Sequence, residues 1–162
     1  MAESKLTYSS VQTMTVTALH SNTSSTTAAW ASAVVDNTSN LYLDALVQVV
    51  LDFANTAAAN DKAAYVYAYG GIESGVYSNP ISGSEGDVTL TDITTTGQNI
   101  KLLGVMPYNT TDEVVESSPM SVALAFGWLP PYWGIVIVDY SGAALAASGN
   151  TVKWRGVTIT TA

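Results

Sequence analysis

Apolar and polar positions alternate with a period of two along much of this chain, and clusters of Gly, Pro, Asn, Asp and Ser separate the alternating runs. That combination predicts many short β-strands. In segment 11–19, Val11, Thr13, Thr15, Thr17 and Leu19 fall on one face and Gln12, Met14, Val16 and Ala18 on the other, predicting a first strand. A second follows at 30–35, before the turn-rich run Asp36-Asn37-Thr38-Ser39-Asn40. Segment 43–55 fits both periods: Leu43, Leu46, Val47, Val50, Leu51 and Ala54 form a helical stripe, while Leu43, Ala45, Val47, Val49, Leu51 and Phe53 form a strand face. Three β-branched residues within 47–50, and the lack of a capping pattern, favour the strand.

Segment 62–69 places Tyr65, Tyr67 and Tyr69 on one face and Ala64, Val66 and Ala68 on the other, closed by Gly70-Gly71. The stretch 70–87 is Gly- and Ser-rich and long for a structureless connection, so it is either functional or folded back on the surface. Further strands are predicted at 88–93, 99–105, 121–127, 133–140 and 151–160, with 106–119 irregular and a helical turn at 112–116. About nine strands without an internal repeat predict one all-β domain over 1–162, an antiparallel two-sheet sandwich of jelly-roll type. An immunoglobulin-like sandwich is the alternative, without the Cys…Trp…Cys hallmark of antibody domains.

Composition narrows the chemistry. The 162 residues carry 13 Asp plus Glu against 5 Lys plus Arg, for a net charge of −8, with 1 His and no Cys. Charged residues are only 11% of the chain, so the polar surface must come from hydroxyl and amide groups; 17 Ser and 20 Thr supply the hydroxyls. A chain with one Arg and four Lys cannot neutralise a run of phosphates, which argues against nucleic acid. The N-terminus lacks the basic start and apolar run of a secretory signal. The longest apolar stretch, 122–138, is broken by Gly127, Pro130, Pro131 and Gly134, which argues against a membrane span and suggests two buried strands joined by a Pro-Pro corner.

Candidate catalytic groups are sparse. His20 ends a predicted strand with no nucleophile or carboxylate that spacing places beside it, and reads as a surface or capping residue. Asp36, Asp44 and Asp52 do not match a calcium loop and read as loop-end and strand-edge aspartates. Glu73, Glu85 and Asp87 in the Gly-rich stretch would suit glycoside hydrolysis only if a fold held two of them across a cleft, and solvated loop charges are the simpler reading. No catalytic residue, cofactor or metal is expected. The aromatic residues say more: Tyr65, Tyr67 and Tyr69, and the segment Trp128, Pro130, Pro131, Tyr132 and Trp133, are interface candidates. Each set would form a sticky patch or a stacking platform for sugars, or else cover a sheet face and plug one end of the sandwich.

Two stretches carry a resemblance. The first is Leu43-Asp44-Ala45-Leu46-Val47 with Tyr65-Val66-Tyr67-Ala68-Tyr69-Gly70-Gly71. The second runs from Ala125-Phe126-Gly127-Trp128-Leu129-Pro130-Pro131-Tyr132-Trp133-Gly134 through Ile135-Val136-Ile137-Val138 into Ser141-Gly142-Ala143-Ala144-Leu145 and Lys153-Trp154-Arg155-Gly156-Val157. In this texture of Thr-, Ser- and Ala-rich strands, scarce charge and no Cys, the chain resembles the small β-sandwich virion proteins of tailed bacteriophages, especially capsid decoration or cement proteins. The resemblance implies a non-enzymatic protein made in the host cytoplasm and carried on the capsid exterior. It would be a homo-oligomer, commonly a trimer, that bridges major capsid protein subunits. A carbohydrate- or receptor-binding module of a fibre or tail tip is the alternative, and an enzyme is a third class.

Overall fold

A computed structural model describes residues 3–25, 27–54, 62–78, 80–90, 100–108 and 114–161. Its strands are β1 (Ser4–Tyr8), β2 (Gln12–Thr13), β3 (Ala28–Ala31), β4 (Val35–Asp36), β5 (Asp44–Asp52), β6 (Ala63–Gly71), β7 (Gly86–Thr89), β8 (Ile100–Pro107), β9 (Val114–Glu116), β10 (Met120–Ser121), β11 (Tyr132–Tyr140) and β12 (Thr151–Thr161). One short helix, α1 (Val122–Phe126), precedes β11. The pairing between these strands is antiparallel throughout.

The first sheet runs β1-β12-β5-β10, with β2 beside β1 on β12 and β9 beside β10 on β5. The second runs β7-β3-β11-β6-β8, with β4 beside β3 on β11. Taking the collinear pieces together, the first strand pairs with the last, the second with the next to last, β5 with β9 and β10, and β6 with β8. These nested pairs are the wrapping of a jelly roll, with β7 added at one edge. The all-β, two-sheet antiparallel sandwich expected from the sequence is the fold of this chain.

Alternation explains the core. Ala45, Val47, Val49 and Leu51 of β5, Ala64, Val66 and Ala68 of β6, and Trp133, Ile135 and Ile137 of β11 point inward and are buried together with Trp30, Tyr108 and Val152. Segment 43–55 is therefore a strand over Asp44–Asp52, with 55 outside the described residues, and the face expected for it is the buried one from Ala45 onward; Leu43 lies outside. The other face of the second sheet is also covered. Ala29, Ala31, Tyr69, Ile81, Leu90, Ile100, Val136 and Val138 form a second buried cluster, against which Tyr77 packs.

The structure corrects four local expectations. Segment 11–19 is a strand only at Gln12–Thr13; the chain then turns, with the Leu19 and His20 amides both on the Val16 carbonyl. Met14 N still reaches the Val152 carbonyl at 2.9 Å, and beyond it the turn on Val16 O, not a sheet partner, takes the backbone bonds that bring Leu19 into the core. Segment 121–127 is not a strand but a capped helical turn. The Ser121 hydroxyl accepts from Leu124 N, Asp44 Oδ1 accepts from Ala123 N at 2.8 Å, and Gly127 closes it at φ 82°. The stretch 122–138 is accordingly one helical turn, a corner and one strand rather than two strands. Finally, Val114–Glu116 pairs with β5 where a helical turn was expected, while 112–113 lie outside the described residues. Of the predicted strand 88–93, Val88–Thr89 belong to β7 and 91–93 lie outside the described residues.

Candidate interaction surface

The two aromatic sets separate in the fold. Tyr65, Tyr67 and Tyr69 do share the outer face of the second sheet, but Tyr69 is fully buried there. Its hydroxyl donates to the Ser32 carbonyl at 2.9 Å, and its ring meets Tyr77 edge-on at 5.5 Å. Opposite it across the strand pair, Gly134 leaves room for the ring; a Cβ there would sit on Tyr69 Cε1, Cζ and Oη. Burial pushes the Tyr69 hydroxyl pKa well above its ordinary value, outweighing the Ser32 bond. Tyr65 and Tyr67 remain half-buried, and partial burial also raises Tyr67.

What buries Tyr69 is the Gly-rich connection, which folds back on the sheet. Ile81 is buried in the outer cluster, Val34 N donates to Gly83 O, and Glu85 anchors the far end. Glu85 Oε1 accepts from Trp30 Nε1 and from Ala18 N, each at 2.7 Å. This carboxylate joins three segments of the chain and is not the solvated loop charge expected from the sequence. Asp87 takes a bond from Asn22 Nδ2 at 3.2 Å, and Glu73 sits exposed in the connection. His20 Nδ1 shares a hydrogen bond with Asn150 Nδ2 at 3.1 Å. Among the described residues, no group of three metal-ligating side chains comes together, and no helix is long and apolar enough to cross a membrane.

The Trp128–Trp133 segment divides. Trp133 is buried in the core, edge-on to Trp154 at 5.2 Å, and is unavailable as a contact residue. Pro130 is buried against Gly70, where a Cβ would come within 2.7 Å of Pro130 Cγ. Tyr132 and Pro131 are half-buried, and Trp128 is 51% exposed. Trp128 and Pro130 line an open groove of about 270 Å³ with Gly70, Gly71, Ile72, Val76, Phe126 and Lys101. The lining is apolar apart from Lys101.

This groove lies at one end of the sandwich. Tyr132 pairs with both Gly71 and Asp36, so the connections after β4 and β6 and the corner before β11 emerge together. Asp44, at the start of β5, binds Ser121 and Ala123 and brings α1 to the same end. Leu41, Leu43, Ile72, Val76, Leu124 and Trp128 are all more than half exposed there, with Ile72 at 78% and Leu124 at 85%. Sequence reasoning named Trp128 and Pro130 but missed Ile72 and Val76. Two large apolar residues inside a Gly- and Ser-rich connection were the available signal. The chain matches no protein-family model, no curated protein and no solved structure.

Proposed function

We propose that this chain is a non-enzymatic virion protein of the capsid decoration or cement type, a homo-oligomer that binds and bridges major capsid subunits on the shell exterior. The observation that carries the reading is the collection of exposed apolar side chains at one end of a sparsely charged sandwich. Fully burying one such side chain is worth about 1.5–3 kcal/mol at ~25 cal/mol per Å², or roughly 60–120 Å² each. Six of them, each more than half exposed, offer roughly 250–450 Å². The apolar part of a standard interface is similar, since ~57% of about 800 Å² per partner is apolar. Scarce charge keeps the desolvation penalty of covering this end small, and repetition over a shell converts a modest contact into avidity.

A glycan- or receptor-binding module is the second reading, motivated by the exposed Trp128 indole. The groove disfavours it, because among the described residues Lys101 is the one charged side chain in the lining and no carboxylate or side-chain amide lines it to take sugar hydroxyls.

Composition analysis of particles from the phage that encodes the chain tests the proposal, followed by adding purified chain to shells that lack it. The expected result is a fixed ratio to the major shell subunit and saturable binding to shells, both weakened by Trp128→Ala. Absence from particles, or no binding to shells together with glycan-array binding lost in Trp128→Ala, would transfer the assignment to the second reading.

A further inference from the structure

β11 leaves the Trp128 groove at Tyr132 and ends at Tyr140, where the Ser25 amide donates to the Asp139 carbonyl at 2.8 Å. At this far end of the sandwich a second open groove, also of about 270 Å³, lies between the turn after Ala18, the start of β3 and the end of β7. Its rim is polar where the first is apolar: His20, Ser21, Asn22, Thr23, Asp87 and Thr89 line it. Ala18, Ala28 and Val88 add methyl groups to the lining.

The walls are fixed in place. Ala28 pairs with Thr89, and Ala29 with Val88, across β3 and β7. Ala18 N is tied to Glu85, two residues before Asp87. Ser21 N donates to Ala146 O at 3.1 Å and Leu145 N to Asn22 O at 2.9 Å. These bonds hold Ser21 at φ 63°, a left-handed conformation that a non-glycine residue adopts only at a cost.

Neighbouring contacts also decide which atoms the rim offers. Asn150 Oδ1 accepts from Asp52 N at 2.9 Å and its Nδ2 donates to Ala146 O at 2.9 Å, which sets the orientation of the amide. Nδ2 is therefore also the donor to His20 Nδ1, so the neutral imidazole carries its proton on Nε2. Asp87 Oδ1 accepts from Asn22 Nδ2 at 3.2 Å. His20 Nε2, Asp87 Oδ2 and the hydroxyls of Ser21, Thr23 and Thr89 make no hydrogen bond among the described residues.

This set selects a ligand chemistry. The lining has no Lys or Arg, and on a chain of net charge −8 its Asp87 carboxylate repels phosphates and other anions. One carboxylate beside one imidazole is too few ligands for a metal ion, and no group of three comes together among the described residues. What fits is an uncharged molecule that donates and accepts at adjacent atoms and has a C–H face for the methyl groups.

We infer that this groove binds one ring of a neutral saccharide. Asp87 Oδ2 accepts from a sugar hydroxyl, His20 Nε2 and the Ser and Thr hydroxyls bond to its neighbours, and Ala18, Ala28 and Val88 meet the ring carbons. The site is separate from the Trp128 groove and goes beyond shell adhesion: with the apolar end on a shell, it faces outward.

Labelled full-length chain on an array of neutral and acidic glycans, followed by nuclear magnetic resonance titration with the free sugars that score, tests the site. The expected result is binding to a restricted set of neutral glycans, with amide shifts in 18–23 and 87–89. Loss of a bond to a charged acceptor should lower affinity roughly tenfold or more in Asp87→Ala. Thr89→Val should weaken binding as well, Trp128→Ala should leave it unchanged, and circular dichroism verifies that each variant is folded. An array without neutral hits, binding that both Asp87→Ala and Thr89→Val retain in full, or binding lost in Trp128→Ala instead would overturn the inference. The last outcome would place the sugar at the opposite end, as in the second reading above.

Discussion

Glu85→Ala should destabilise the fold severely although Glu85 lies in a loop. Its Oε1 accepts from the indole of fully buried Trp30 and from the Ala18 amide, both at 2.7 Å. Hydrogen bonds to a charged acceptor contribute about 1.5–3 kcal/mol each, and a buried donor left without a partner costs about 1–3 kcal/mol. The two bonds share one oxygen and do not add fully, so about 3 kcal/mol is the working figure. For a domain of this length, each kcal/mol moves Tm by about 2–4 °C, giving a drop of about 6–12 °C. Glu85→Gln keeps an acceptor oxygen without the charge and should lose only about 1 kcal/mol. Urea denaturation of the three proteins provides the comparison. Because Glu85 also fixes the connection that carries Ile72 and Val76, the Ala variant should bind shells less well at temperatures where it is still folded. A Glu85→Ala midpoint within about 0.5 kcal/mol of the parent, the range of an ordinary surface change, would refute the claim that this carboxylate ties three segments together.

Gly134→Ala should force the Tyr69 ring off its site and break its bond to Ser32, costing roughly 1–3 kcal/mol by overpacking, visible in the urea midpoint and as a gain in Tyr69 exposure in near-ultraviolet spectra. Trp128→Ala removes a half-exposed side chain and should leave stability within about 0.5 kcal/mol while weakening shell binding in sedimentation assays. Asp139 is buried, its Oδ2 has no hydrogen-bond partner, and desolvation raises its pKa despite the Ser141 bonds. The folded state therefore holds this proton more tightly than the unfolded state. The resulting stability is full below the ordinary carboxyl value of 3.8 and is lost as pH rises through the higher folded value. Asp139→Asn should accordingly be the more stable protein at neutral pH, with its advantage shrinking on acidification through that window; an advantage that grows toward low pH would contradict the assignment.

Most of the architecture was legible because a strand with one buried face writes its pattern at period two, as in β5, while β11, buried on both faces, stands out as a continuous apolar run. The misreadings have physical causes. Met14 to Leu19 kept the alternation after the sheet partner had ended, since Thr13, Thr15 and Thr17 face water and impose no register. In α1, Ser121 and Gly127 were present as cap residues, but the second half of the cap is Asp44, 77 residues away in sequence. The pairing of β1 with the end of β12 had only Leu6 and Ile159 as apolar markers, too few to set a period. The candidate surface was half legible for a similar reason. An aromatic residue signals a large apolar area but not which side of a sheet it covers, so Trp133 went to the core and Trp128 to solvent. The neighbours that complete the groove, Ile72 and Val76, come from a connection whose fold depends on Glu85.

Hydrogen exchange of the chain, free and bound to shells of its own phage, tests most directly whether the apolar end is the adhesive surface. Amides in 72–76 and 127–131 should slow on binding, while 21–25 and 141–150, at the opposite end, should exchange as in the free protein. Protection confined to that opposite end, or no change anywhere on saturated shells, would contradict it.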